Sequence, residues 1–348
     1  MKLSSVTRHI QDHDRWLWAG LGLGALAAGG VMQAVHVRRI SHDPEHDPLA
    51  EPPEGRVRLA ASADGTILHV EAFGPEDGPT VVLAHGWTEA LQYWTYVIRA
   101  LSERGIRVVA YDQRGHGKSE SASGGDYDLE RFGEDLEAVL TACVPDGERA
   151  VVVGHSLGAM SIVSWAEDHD VTRHVGAAVL LNTGVGDLIA EQLLFPLPQI
   201  AQALNRTVAT RGFLGNKAPL PRFSTPLSSA VIQYVAFGPE ASPAQVAFYE
   251  RMLITCPADA RAKTGIAMSA MELHHALPRL TVPTIVIAGA EDRLTPPSHA
   301  RRIAGQLPQL RRLTILPDTG HMTPLERPDA VIAAVVELLA LTSERVVV

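Results

Sequence analysis

The 348-residue chain is 46% hydrophobic and 20% charged, enough apolar material for a large core and too much for a disordered chain. Its formal net charge is −9 and no run of Lys or Arg exceeds two residues, so the basic footprint of a nucleic-acid binder is missing. Cys143 and Cys256 are the only cysteines and lie far apart, which excludes a disulfide framework and a cysteine zinc site. The length exceeds one ordinary domain, and a single α/β domain carrying an insertion is the economical reading.

Residues 16–37 carry no formal charge and are flanked by Arg15 on one side and Arg38 and Arg39 on the other. This is long enough to cross a ~30 Å hydrocarbon core as a helix, so a single N-terminal membrane span is expected. Trp16 and Trp18 suit the interface, and Gly20-x-x-x-Gly24 suits close helix packing. Two rival readings are a signal peptide cleaved near Ala25-Leu26-Ala27, giving a secreted protein, and a packed amphipathic helix. Basic residues nearly balance across the segment, leaving the side of the membrane open. Residues 41–55, rich in proline and acid, read as an extended, solvated linker. Pro44 denies His42 and His46 the regular turn that would align them on a metal.

From residue 56 onward, short β-branched runs alternate with helical stretches, the pattern of a mostly parallel sheet covered by helices. The clearest strands are residues 80–85, 106–112, 150–155, 177–182, 284–289 and 313–318, whose near-continuous hydrophobicity implies burial on both faces. The rhythm lapses over residues 184–275, where prolines recur and aromatic residues gather. That segment is expected to be an inserted, mainly helical cap between core segments 56–183 and 276–348. Phe213, Tyr234, Phe237 and Tyr249 would either line a cleft or fill the cap's own core.

Gly154-His155-Ser156-Leu157-Gly158 matches G-x-S-x-G between a buried strand and a helix, the context of a nucleophile elbow. A serine hydroxyl needs a base. His155 is adjacent, but successive side chains near a strand end point to opposite faces, so it should face away from Ser156. His321, in the loop after the last strand, has better reach towards the carboxyl edge of the sheet. Asp292, just beyond another buried strand, could orient that imidazole; Glu291 and Asp187 compete with it. "GHGKS" at 115–119 resembles the end of a phosphate-binding loop, but the glycine required at 112 is Asp112, so the match breaks and His116 reads as a turn residue. His274 and His275 have no partner pattern.

The order Ser156, Asp292, His321 resembles that of the α/β-hydrolase superfamily, and the resemblance covers roughly residues 56–340. "AHGW" (84–87) looks like the family's oxyanion loop and "DQRGHGKS" (112–119) like its turn after the fourth strand. The resemblance implies backbone N–H groups of Trp87 and Leu157 as the oxyanion hole, no cofactor or metal, and cleavage of a carboxylic ester, hydrophobic or lipid-like, through an acyl-enzyme on Ser156. Carbon–carbon bond hydrolysis and cofactor-free perhydrolysis use the same triad and stay open. So does a hydrophobic-ligand receptor with this fold. The sequence carries no signal for oligomeric state.

Overall fold

The computed structural model describes residues 29–188 and 214–344. Eight strands form one sheet in the order β1-β2-β4-β3-β5-β6-β7-β8: Arg56–Ala61, Ile67–Phe73, Thr80–Ala84, Arg107–Tyr111, Ala150–His155, Val175–Leu181, Thr284–Gly289 and Leu310–Leu316, numbered in chain order. The six strands named from the sequence are present. The hairpin β1–β2 is additional; it joins antiparallel and leads antiparallel into β4, while every later pairing is parallel.

The run of valines in β3, β4 and β5 reflects a sheet covered on both sides. Val82, Val109 and Val152 pack beneath the helices Leu129–Cys143 and Leu157–Asp168, while Val81, Val108, Val151 and Val153 pack against Thr95–Glu103 and Pro328–Glu344. Alternate side chains thus enter separate cores, so no polar position interrupts these strands. The edge strand β8 differs: its residues are partly or largely exposed, because among the described residues no strand pairs with its outer side.

Between β6 and β7 the described residues form the helices Pro226–Ala236, Pro243–Thr255 and Ala258–Ala270. The first two begin with capping boxes, Thr225 with Ser228 and Ser242 with Gln245, each followed by proline in the first turn. Phe237 and Tyr249 are buried and contribute to a core, whereas Tyr234 is exposed; Phe213 lies outside the described residues.

The expected membrane span is corrected. Among the described residues no helix is long and apolar enough to cross a membrane. Residues 16–28 of the expected span, with the glycine pair and the cleavage-like site, lie outside the described residues. Residues 29–41 are helical, but Gln33 Nε2 donates to the Ser224 carbonyl (2.8 Å) and His36 Nε2 lies 2.9 Å from Ser224 Oγ. Polar groups that hydropathy counts as isolated are therefore bound to protein. Val31, Met32, Val35 and Val37, the residues that made the segment look like an anchor, are exposed.

The segment expected to be a solvated linker is docked. His46–Ala50 is a short helix with Leu49 buried, Arg99 Nη1 donates to the Pro48 carbonyl at 2.8 Å, and Asp43 accepts from the Ala244 N–H at 3.1 Å. One apolar side chain and several backbone acceptors outweigh the solvating tendency of the surrounding acids.

Candidate active site

The carboxyl ends of β3, β5, β7 and β8 converge on one edge of the sheet, where open α/β sheets place their ligands. Ser156 follows β5 at φ 50°, ψ −114°, a conformation L-residues avoid. Its two glycine neighbours explain how the turn closes. A Cβ on Gly154 would stand 2.6 Å from Ala159 Cα, and one on Gly158 would run into the Ala84 carbonyl. The G-x-S-x-G spacing is therefore a steric requirement for packing β5, the following helix and β3 around one tight turn. The turn is held by the Ser156 N–H donating to the Leu181 carbonyl (3.0 Å) and by Thr183 Oγ1 donating to the Ser156 carbonyl (3.0 Å).

Ser156 and His321 line the same cavity, of about 390 Å³, with Trp87, Glu89, Met160, Ile232 and Met322 among its walls. His321 is 4% exposed, and its Nδ1 is 2.8 Å from Asp292 Oδ2. Nδ1–H as donor to that carboxylate leaves Nε2 as the basic nitrogen. Asp292 is 1% exposed and surrounded by donors. Oδ2 also accepts from Asn182 Nδ2 (3.0 Å) and Thr295 Oγ1 (2.8 Å), and Oδ1 accepts the N–H groups of Leu294 and Thr295 (2.9 Å each).

These contacts set the charges. Burial alone would raise the Asp292 carboxyl, but the nearby His321 charge and the hydrogen bonds from His321, Asn182 and Thr295 outweigh it and hold the group below its ordinary value. For His321, burial favours the neutral ring, yet the Asp292 charge and hydrogen bond prevail and raise it above its ordinary value. The pair is built to stabilise an imidazolium next to a carboxylate, which a base needs once it has taken a proton.

Two clamps hold the His321 loop. Glu326 accepts the N–H groups of Gly320 and Met322 (3.1 Å) and of Gly238 (2.7 Å), and the His321 N–H itself donates to the Ala236 carbonyl (2.8 Å). The second clamp is His155. It is fully buried and does not serve Ser156: its Nε2 lies 2.8 Å from the His321 carbonyl and its Nδ1 3.0 Å from Glu89 Oε1. The ring thus bridges the His321 carbonyl and the Glu89 carboxylate. Glu89 also accepts the Gly86 N–H at 2.5 Å. One buried pair thus ties the loop after β3 to the backbone of His321.

Trp87 follows Gly86 in that loop, with its indole Nε1 donating to the Arg261 carbonyl (2.9 Å). Leu157 is the first residue of the helix after Ser156, among the amides that a helix leaves without an internal acceptor. His85 stiffens the loop: its Nδ1 lies 2.8 Å from the Gly86 carbonyl and its Nε2 accepts the Gln113 N–H at 3.0 Å. Asp112 accepts the N–H groups of Leu91 (2.7 Å) and Lys118 (2.8 Å), so it pins a turn where a phosphate loop would need glycine.

Of the competing acids, Glu291 borders a separate groove and Asp187 lies after β6 at φ 55°; neither bonds His321, whose carboxylate partner is Asp292. His116 is buried, with Nδ1 2.9 Å from the Arg114 carbonyl. His274 and His275 lie near Gln306 and Glu167, 3.0 and 2.9 Å away. Sequence reasoning missed Glu89, Asn182, Thr295 and Glu326. Asn182 had a visible signal, a polar residue ending an otherwise apolar strand; Glu326 is five residues from His321 and had none.

Comparison with known proteins agrees with this architecture. A putative carbamate hydrolase, RutD, of Variovorax paradoxus is 30% identical over 257 residues, 73% of this chain and 89% of its own. A bifunctional esterase/perhydrolase of Acinetobacter calcoaceticus is 25% identical over 272 residues, 77% of this chain and 94% of its own. The crystal structure of a hydrolase from Pseudomonas aeruginosa superposes with a TM-score of 0.63 at 29% identity, over 82% of this chain and 98% of that one. The sequence model of the alpha/beta hydrolase fold matches residues 79–328, from the residue before β3 through the His321 loop to the start of the final helix, and the chain therefore belongs to the α/β-hydrolase family.

Proposed function

We propose that this α/β hydrolase cleaves carboxylic esters through an acyl-enzyme on Ser156. The observation that carries the reading is the buried Asp292–His321 pair, facing the same apolar cavity as a serine held at a strained turn. His321 Nε2 takes the Ser156 proton as Oγ attacks the carbonyl carbon. The tetrahedral oxyanion is held by the Trp87 and Leu157 N–H groups, each worth about 3 kcal/mol in a site closed to water. Collapse expels the alcohol, which leaves with the proton from His321. Water, deprotonated by the same nitrogen, then releases the acid and restores Ser156.

In this reading the helices between β6 and β7 act as a cap. Ile232, Ala236, Tyr249 and Leu253 supply apolar wall opposite Ser156, which favours a hydrophobic acyl or alcohol group. The relative named as both esterase and perhydrolase supports a second reaction on the same acyl-enzyme, with hydrogen peroxide in place of water. The test is turnover of 4-nitrophenyl esters graded by acyl length, by wild type and Ser156→Ala. A loss of at least about 10⁴-fold in kcat supports the reading; retention of kcat within tenfold overturns it.

A further inference from the structure

The cavity beside Ser156 holds a cation whose charge the proposed ester chemistry does not use. Arg261, in the helix Ala258–Ala270, lines the cavity and is 6% exposed. Its Nη2 donates to the carbonyls of Asn216 (3.3 Å) and Ala218 (2.8 Å). Among the described residues it forms no ion pair, and Nε and Nη1 take no hydrogen bond. The contrast within the same molecule is Arg114, also buried, whose Nε and Nη2 meet Asp135 at 2.7 and 2.6 Å and whose Nη1 meets Asp64 at 2.9 Å. A buried guanidinium is normally compensated in that way, because an unpaired charge taken out of water is costly.

Among the described residues the carboxylate on the cavity wall is Glu89, and it is engaged. His155 Nδ1 and the Gly86 N–H both reach its carboxylate, so it does not offset Arg261. The backbone carbonyl of Arg261 accepts from the Trp87 indole, which ties its helix to the proposed oxyanion loop, while its guanidinium is held at the carbonyls of Asn216 and Ala218. We propose that Arg261 is the anchor for a carboxylate at the far end of the substrate, so that the preferred ester is an amphipathic one with an apolar middle and an ionised acid. With Nη2 engaged by the Asn216 and Ala218 carbonyls, Nε–H or Nη1–H can still donate one charge-assisted N–H···O bond to a carboxylate. This inference rests on the ester reading above and gives its substrate a charge.

The test compares 4-nitrophenyl hydrogen glutarate, ionised at its distal acid near neutral pH, with the distal methyl ester of the same compound. Wild type should show the higher kcat/KM for the charged ester. Arg261→Gln should lower the ratio of charged to neutral kcat/KM by about tenfold or more, the size of one charge-assisted bond, mainly through KM. Arg261→Lys should restore part of that ratio. A purely structural clamp on residues 216–218 would lower both substrates in parallel, and a parallel loss, or a wild type that prefers the neutral ester tenfold, overturns the proposal. The wild-type comparison decides the matter even if Arg261→Gln does not fold. If neither ester is turned over, the ester reading has failed by itself; calorimetric titration with glutarate and with glutaramide then tests the anchor. Glutarate binding that glutaramide lacks supports it, and equal or no binding refutes it.

Discussion

Replacing Asp292 with asparagine removes one charge and keeps the shape, and its outcome can be worked from the five donors around the carboxylate. An amide must present its NH₂ either to Oδ1's partners or to Oδ2's. At Oδ1 it would meet the N–H groups of Leu294 and Thr295, which are backbone and cannot turn. At Oδ2 it would meet Thr295 Oγ1, which can rotate to accept, Asn182, and His321 Nδ1. The second arrangement costs less, and it forces His321 into the other tautomer, with Nδ1 accepting and the proton on Nε2. A protonated Nε2 cannot take the Ser156 proton. Leaving one buried donor unsatisfied costs about 1–3 kcal/mol of stability, so the variant should fold, with a lower Tm. Its kcat should fall by about 10⁴, roughly 5.5 kcal/mol of barrier. Turnover of 4-nitrophenyl butyrate alongside a circular-dichroism melt measures both effects, with Glu291→Gln as the control that retains activity. A folded Asp292→Asn enzyme with kcat within tenfold of wild type would refute the tautomer argument.

The pH profile follows from the same pair. His321 is a base only when neutral, so kcat/KM should fall as pH drops through its raised pKa, with the acid limb above the ordinary value of 6.5; a limb below 6 would contradict the assignment. The stability signs differ for the two partners. His321, raised, contributes fully below pH 6.5 and loses its contribution as pH rises through its folded value. Asp292, lowered, contributes above its ordinary 3.8 and loses that as pH falls through its folded value, so the pair stabilises most between these limits. His155→Phe leaves Glu89 buried without its histidine and the His321 carbonyl without its donor, costing about 3–5 kcal/mol of stability. It should lower kcat more than it raises KM, with partial recovery in His155→Gln; an unchanged kcat and Tm would remove His155 from the positioning scheme. Gly158→Ala should abolish turnover or folding, since its Cβ runs into the Ala84 carbonyl, and a soluble variant with normal turnover would show that the elbow has slack.

The strand-end positions of Ser156 and Asp292 were legible because β5 and β7 are buried on both faces and read as continuous apolar runs, and that of His321 because it sits in the loop after the last strand. The elbow was legible because its glycines are steric necessities. The β1–β2 hairpin was not: β1 is mostly exposed and β2 carries His69 and Glu71, which hydrogen bond at 2.8 Å, so the continuous apolar signal is broken. Residues 29–41 misled because hydropathy counts Gln33 and His36 as uncharged and cannot see Ser224 binding them from far along the chain. His155 was rightly separated from Ser156 by strand alternation, but its partners, Glu89 and the His321 carbonyl, are 66 and 166 residues away. Such long-range hydrogen bonds leave no periodicity. Arg261 is silent for a related reason: only the fold shows that its charge is buried beside the serine.

In the proposed mechanism Ser156 Oγ bonds to the substrate carbonyl with His321 as its base. Reaction with a fluorophosphonate followed by peptide mapping tests it most directly. One stoichiometric adduct is expected on the peptide containing Ser156, lost in Ser156→Ala, retained in His155→Gln and strongly slowed in His321→Ala. An adduct on another residue, or full labelling of Ser156→Ala, would contradict it.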